Sequence, residues 1–367
     1  MKILHIIDGL FMGGAENLLI GLAGEQVANG EEVLVVPLVC PKHTPVREKM
    51  ELKGVSVQPI ETGGSVYNPL LIFRLFRIMR GYDVIHVHLF PALYWAGFAK
   101  LLSFNKTPLV YTEHSTNNKR RENKFLHFTD RIIYQYCYKM VVACSEKALV
   151  TYQQAYPSVK HTYVINNGVN TKIFKDAKPY TKEELLGIDE SSFIVTMVAR
   201  FMTMKRQDTI VEAIAKLPNN IHAVLVGGEE TDEGLQRVKQ LAKAIGVQDR
   251  VHFLYIRKDV PRILKTSDAV IMASDYEGLS LSSIEGMAAG KPFIATNVNG
   301  LKEVVGGAGL LFENKDSEEL AGLINKLATD KDYYFKIASN CAERAIDYDI
   351  KGMVDTYAHV YNEVIKN

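Results

Sequence analysis

Long apolar runs are missing from this 367-residue chain. No uninterrupted stretch reaches the ~18 residues that a transmembrane helix needs. The opening MKILHIIDG is no secretory leader, because Asp8 and Gly9 stand where the apolar core of a signal would continue. Cysteine is scarce: Cys40, Cys137, Cys144 and Cys341 include no C-x-x-C pair and read as reduced, mostly buried thiols of a cytoplasmic protein. Neither H-x-x-x-H nor H-E-x-x-H occurs, so no metal is expected. A G-x-G-x-x-G fingerprint with a downstream acid is absent too, which argues against a dinucleotide-dependent dehydrogenase. Charge of one sign is lacking overall, 43 Lys+Arg facing 42 Asp+Glu, and no nucleic-acid motif is present. Short tandem repeats and low-complexity tracts are also missing.

What the chain has is alternation. MKILHIID, EVLVVPLVC, DVIHVHL, PLVYTEH and MVVACS read as buried strands separated by helical stretches. After the polar stretch NNGVNTKIFKDAKPYTK the alternation resumes with FIVTMVAR, HAVLVGG, RVHFLYI, DAVIMAS, KPFIATN and AGLLFE. The length exceeds the roughly 250–300 residues at which one core stops growing. Two Rossmann-like, doubly wound parallel-sheet α/β domains with a cleft between them are therefore expected, 1–168 and 169–349. Charge is uneven between them, with 18 Lys+Arg to 13 Asp+Glu before residue 169 and 25 to 29 after it. Residues 70–147 hold 12 to 5, a surplus suited to an anionic partner or simply to a solvated shell.

In such sheets ligands bind beyond the carboxyl ends of the strands. GLFMGGAE follows the first strand, and Gly13 and Gly14 there either offer amides to an anion or let strand and helix pack closely. In VARFMTMKRQD, Arg200 and Lys205 converge from one loop, as suits a diphosphate or a wet basic loop. In SDYEGLSLSSIEGMAAG, Glu277 and Glu285 flank a turn of small residues. Ser282 to Glu285 fits a capping box, yet the same helix start would attract a phosphate flanked by sugar hydroxyls. His86, His88 and His114 end strands, as proton shuttles or as satisfied structural histidines. Asp347-Tyr348-Asp349 enters the last helix and reads as a hinge.

Together EGLSLSSIE, the following GMAAGKPFIAT, VAR…K upstream, GGAE and GLLF resemble the retaining family 4 (group 1) GT-B glycosyltransferases of bacterial polysaccharide and lipid-linked-sugar synthesis. The resemblance spans almost the whole chain and is strongest over about 190–315. It implies a metal-independent transferase without a cofactor, moving sugar from a nucleotide-diphosphate sugar, by default a UDP-sugar, to a glycan or polyprenyl-diphosphate-linked acceptor. Arg200 and Lys205 would hold the diphosphate. Glu277 would contact the donor sugar and Glu285 the ribose, with Gly278, Leu279, Ser280 and Leu281 near phosphates and sugar. His114 would be the active-site histidine, Gly13 and Gly14 would leave room for phosphate and acceptor, and the base would lie by Tyr255, Ile256 and Arg257. Gly227 and Gly228 depart from the commoner Gly-Asp/Glu-Gly turn, which weakens their assignment to the donor. The last helix, about 350–367, would return to the first domain. A nucleotide-sugar 2-epimerase or a non-catalytic sugar-nucleotide-binding subunit could use the same fold.

Lys119, Arg120, Arg121 and Lys124 lie among Phe125, Phe128, Tyr134, Tyr136 and Tyr138. With Arg74, Arg77 and Arg80 they suit a lipid-linked acceptor at the anionic inner face of the membrane, or a helix that covers the sheet and leaves its basic side wet.

Overall fold

The computed structural model describes every residue except Met12, Thr62, 115–122, Gly278 and Asn367. Contacts divide the chain into two compact units, Met1–Gly168 with Ile350–Asn367, and Val169–Asp349.

The first unit is built on seven parallel strands: β1 (Lys2–Ile7), β2 (Glu32–Pro37), β3 (Ser56–Val57), β4 (Val84–His88), β5 (Leu109–Glu113), β6 (Met140–Ala143) and β7 (Thr162–Val164), in the order β3-β2-β1-β4-β5-β6-β7. Their alternate side chains feed two cores. Ile3, Ile7, Val33, Val35, Val84 and Val110 face one layer, and Leu4, Ile6, Val36, Ile85, Val87 and Tyr111 the other. The first layer is covered by the helix Gly14–Ala28 and by Ile350–Lys366, whose Ile350, Met353, Val354, Tyr357, Tyr361 and Val364 form its buried stripe. No helix among the described residues is long and apolar enough to cross a membrane.

The second unit holds β8 (Phe193–Val198), β9 (Ile221–Val226), β10 (Val251–Tyr255), β11 (Ala269–Met272), β12 (Phe293–Thr296) and β13 (Leu310–Phe312), parallel in the order β10-β9-β8-β11-β12-β13. Strand order reverses between β1 and β4 in one unit and between β8 and β11 in the other. At such reversals successive crossovers diverge to opposite faces and leave a crevice at the carboxyl edge.

Three details differ from the reading of the sequence. β3 and β7 were not anticipated: two or three residues carry no periodicity, and the first lies among polar neighbours. The polar stretch after residue 165 is partly ordered, containing the helices Thr171–Lys175 and Lys182–Leu186, the latter started by a Thr181–Glu184 capping box. Asp349 bridges to Val169 and accepts from the Thr171 amide at 3.3 Å, which ties the two ends of the second unit together.

Candidate active site

The carboxyl edge of the second sheet gathers the sequence-selected charges. β8 ends at Val198, and Arg200 projects from the loop beyond it. It is exposed, and its guanidinium has no partner among the described residues. The loop continues into a short 3-10 turn, Thr203–Lys205, and Arg206 takes a left-handed backbone (φ 53°) that starts the helix Gln207–Ile214. Gln207 Nε2 donates to the Arg200 carbonyl at 3.0 Å, which anchors the loop.

The neighbouring strand β11 delivers Glu277 to the same place. Lys205 Nζ lies 2.5 Å from Glu277 Oε1, with the two side chains only 16% and 13% exposed. Ser274 Oγ donates to the same carboxylate oxygen at 2.7 Å. The Asp275 amide donates to the Met204 carbonyl at 2.8 Å, stitching the two strand-end loops. A largely buried ion pair gains little net stability, but removing one partner leaves the other charge stranded at about 3–5 kcal/mol.

Glu285 stands apart. The helix Leu281–Ala288 is capped by Ser280, whose Oγ accepts from the Ser283 amide and hydroxyl at 3.3 and 2.8 Å. The Ser282–Glu285 capping box is therefore not formed. The helix begins two residues earlier than that motif requires, which moves Glu285 into the second turn. Its carboxylate bonds to no described residue, and burial pushes its pKa up to about 7. Hydroxyl donors that reach such a carboxylate would favour its charged form and oppose the effect of burial. Leu279 and Leu281 pack against the core on either side of Ser280, while Gly278 lies outside the described residues.

At the next strands, Gly227 (φ 127°) must be glycine: a Cβ there would stand 2.3 Å from the Ala199 carbonyl oxygen, beside Arg200. Its amide donates to the Tyr255 carbonyl at 2.7 Å. Gly228 is equally confined, against Phe201 and Asp232. Tyr255 has a positive φ of 53°, and its hydroxyl meets Lys239 Nζ at 2.9 Å and Glu230 at 3.2 Å. Ile256 is exposed. Arg257 is committed elsewhere, its guanidinium gripping Asp259 through Nε at 2.8 Å and Nη2 at 2.5 Å.

In the first unit, Gly13 caps the helix Gly14–Ala28; a Cβ on Gly13 would meet the Glu16 carboxylate, whereas one on Gly14 would point into open space. His114 follows β5 and lies against the wholly buried His88. His5, His86 and His88 approach closely enough to hold a metal ion. Every ring nitrogen of the three is already engaged, however: His5 with His88 and Gln26, His88 with His5 and His114, His86 with Tyr361 and Thr112. A metal would have to break those bonds. Lys124 is exposed at the start of the helix Lys124–Tyr136, and Lys119, Arg120 and Arg121 fall outside the described residues.

Two family models tile this chain: residues 12–173 match Glycosyltransferase Family 4, and residues 181–347 match Glycosyl transferases group 1. The chain belongs to the family 4, group 1 glycosyltransferases. The transferase is 27% identical to N-acetyl-alpha-D-glucosaminyl L-malate synthase of Bacillus anthracis over 295 residues, 78% of this chain and 76% of that one. It is 26% identical to the UDP-Gal:alpha-D-GlcNAc-diphosphoundecaprenol alpha-1,3-galactosyltransferase of Escherichia coli over 313 residues, 81% and 80% of the two chains. The solved structure of Anabaena Alr3699/HepE in complex with UDP matches with a TM-score of 0.86 at 25% identity, covering 99% of this chain and 100% of that one. The fold is GT-B, and the protein is an enzyme.

The fold of the transferase brings Arg200, Lys205, Glu277 and the Leu279–Leu281 helix start to the ends of two adjacent strands. Ser274, Gln207, His5 and Gln26 escaped sequence reasoning. Ser274 stood within the Glu277 motif, but nothing local marks a serine as a carboxylate's partner. His5 looked like one more residue of an apolar strand.

Burial pulls the His5 and His114 pKa values down to about 4 and holds His86 and His88 well below 6.5. At His5 and His114 the unfolded chain takes up the proton near pH 6.5 and the folded one only near 4, so their contribution to stability is complete above about 6.5 and is lost as pH falls toward 4. For His5 and His114 that amounts to about 3 kcal/mol each. Tm is expected to drop clearly between pH 7.5 and pH 5.0 in calorimetry; an unchanged Tm contradicts burial of neutral imidazoles.

Proposed function

We propose that the enzyme is a retaining transferase that moves a sugar from a UDP-sugar to a lipid-diphosphate-linked or glycan acceptor in bacterial surface polysaccharide synthesis. On this reading the second unit binds the donor and the first unit the acceptor. The observation that carries it is the cation and carboxylate set at the β8/β11 reversal: the loop after β8 carries both Arg200, whose guanidinium has no described partner, and Lys205, which pairs with Glu277. The E. coli and Anabaena relatives support it, since one is named for UDP-Gal and a diphosphoundecaprenol acceptor and the other was solved with UDP.

The chemistry follows from where charge develops. Breaking the sugar–diphosphate bond leaves negative charge on the nucleotide phosphate. Arg200, Lys205 and the first-turn amides near Leu281 are preorganised to take it, without a metal. Lys205 exchanges Glu277 for the diphosphate, and Glu277 is then released to accept hydroxyls of the donor sugar and to stabilise its oxocarbenium-like transition state. Glu285 accepts the two ribose hydroxyls, an interaction that favours its charged form. The base lies along the backbone of Tyr255, Ile256 and Arg257, Gly13 and Gly14 leave room for phosphate and acceptor, and His114 contacts sugar or acceptor.

The test is incubation with UDP-sugars and a polyprenyl-diphosphate-linked sugar, with products read by mass spectrometry and their anomeric configuration by NMR. A product one hexosyl unit heavier with α configuration is expected. Donor hydrolysis alone, epimerised donor, or an inverted product would overturn the assignment. Glu285→Gln supplies a second check. In the apo protein the change removes the cost of ionising a buried carboxylate, so Tm above pH 8 rises, by roughly 4–8 °C for about 2 kcal/mol. UDP binding weakens at least tenfold. A stabilised variant that binds UDP normally rules out the ribose role.

A peripheral membrane contact rests on the helix Lys124–Tyr136, which exposes Phe125, Phe128, Ile132 and Tyr136 on one face with Lys124 and Arg131. Sedimentation with anionic vesicles, and not with neutral ones, is expected to fall severalfold in Phe125→Ser/Phe128→Ser. Equal recovery of variant and wild type removes the proposal.

A further inference from the structure

The buried histidines form a directional chain. β1 and β4 are in register at His5 and His86, and His88 follows two residues on, so all three imidazoles project from one face of the sheet, under the helices Gly14–Ala28 and Ile350–Lys366. They take positions that elsewhere on this face hold Ile and Val. Gln26 Oε1 lies 2.8 Å from His5 Nε2, His5 Nδ1 lies 3.1 Å from His88 Nε2, and His88 Nδ1 lies 3.2 Å from His114 Nε2. Gln26, His5 and His88 are each at most 2% exposed. A neutral imidazole has one N–H and one bare nitrogen, so each bond dictates the direction of the next.

The direction is set at Gln26. An amide oxygen only accepts, so His5 Nε2 carries the proton and its Nδ1 is bare. His88 Nε2 must then donate to His5, which leaves His88 Nδ1 bare. His114 Nε2 must donate to His88, which leaves His114 Nδ1 bare and without a described partner. Amide orientation is decided by the surrounding bonds. Here Gln26 stands with Oε1 toward His5 Nε2, and beside this chain the Tyr361 hydroxyl meets His86 Nδ1 at 2.6 Å and His86 Nε2 meets Thr112 Oγ1 at 2.7 Å. The opposite orientation of Gln26 would reverse every proton and put an N–H at His114 Nδ1.

We propose that Gln26, acting through His5 and His88, is a positioning residue that locks His114 in the Nε2–H tautomer, so that His114 presents Nδ1 as a hydrogen-bond acceptor for a hydroxyl of the donor sugar or acceptor. The role of His114 as a substrate contact rests on the function proposed above; the tautomer lock does not. It places a selection for hydroxyl donors 88 residues away in sequence from the group that makes the contact.

The test is long-range ¹H–¹⁵N correlation NMR of histidine-labelled full-length protein at pH 7.5, with His114 assigned by the signals lost in His114→Ala. Wild type is expected to show His114 with its proton on Nε2. Gln26→Met, of similar volume but without an acceptor, is expected to give a mixture of tautomers and a roughly tenfold lower kcat, with the donor KM within about twofold. Gln26→Glu restores both, because a carboxyl oxygen supplies His5 Nε2–H with the same acceptor. A proton on Nδ1 of His114 in the wild type overturns the lock, and so does an unchanged Nε2–H tautomer in Gln26→Met. The wild-type spectrum decides even if a variant fails to fold. If the tautomer responds as stated while His114→Ala retains full turnover, the lock stands and the substrate-contact reading of His114 is the part that fails.

Discussion

Replacing Arg200 with alanine is expected to lower kcat/KM about 10²–10³-fold while leaving Tm within about 1 °C of wild type. The activity loss follows from removing a preorganised cation at the leaving diphosphate, the type of group whose deletion costs about 3–4 kcal/mol of transition-state stabilisation. The unchanged stability follows from the structure: Arg200 is exposed and its guanidinium has no described partner. Its described anchoring bonds, the carbonyl's acceptances from Gln207 Nε2 and from the Met202 amide, are backbone on the Arg200 side and survive the substitution. Arg200→Lys is expected to recover only part of the rate, because an ammonium cannot bind two phosphate oxygens side by side. Full activity in Arg200→Ala, measured with a donor that the wild type turns over, removes Arg200 from the site.

Lys205→Ala behaves differently, because here function and stability are coupled. Its ammonium is the partner of a Glu277 carboxylate that is only 13% exposed. Deleting it strands that charge, with Ser274 Oγ left as its one remaining side-chain donor among the described residues. Turnover is expected to fall about 10³-fold and Tm by roughly 6–12 °C, corresponding to about 3 kcal/mol for a unit of this size. The double variant Lys205→Met/Glu277→Gln removes both charges and is expected to regain most of the stability with none of the activity. That split is the informative outcome. If the double variant stays as unstable as the single one, the pair is not what holds the two strand-end loops together.

The same contrast explains what could be read from the sequence. The two α/β halves were legible because buried parallel strands such as VLVVP and FIVTMV are continuous apolar runs, and runs of that kind have few other uses. The charges were legible because each lies just past such a strand, where the topology leaves a crevice. Pairing was not legible. Nothing in the spacing says that Lys205 meets Glu277, 72 residues away, while the Arg200 guanidinium meets no described residue. Nor could spacing separate a cap at Ser280 from one at Ser282, since SLSSIE offers a serine at either position and only the backbone decides. Arg257, which the resemblance places by the base, has its guanidinium held by Asp259 two residues on, and the spacing does not show that pairing. The histidine chain was hidden most completely: His5 lies 83 residues from His88, and its partner Gln26 is on a helix whose pattern gives no hint of a polar bond inward.

The central claim is that the carboxyl edge of the second sheet is a nucleotide-diphosphate site. Titration calorimetry with UDP tests it most directly, on the wild type, Arg200→Ala and Glu285→Ala, at pH 7.5 and without divalent metal. Saturable one-to-one binding to the wild type is expected, weakened at least tenfold in each variant while the fold is retained by circular dichroism. Absence of UDP binding to the wild type, or equal affinity in all three proteins, would contradict the claim.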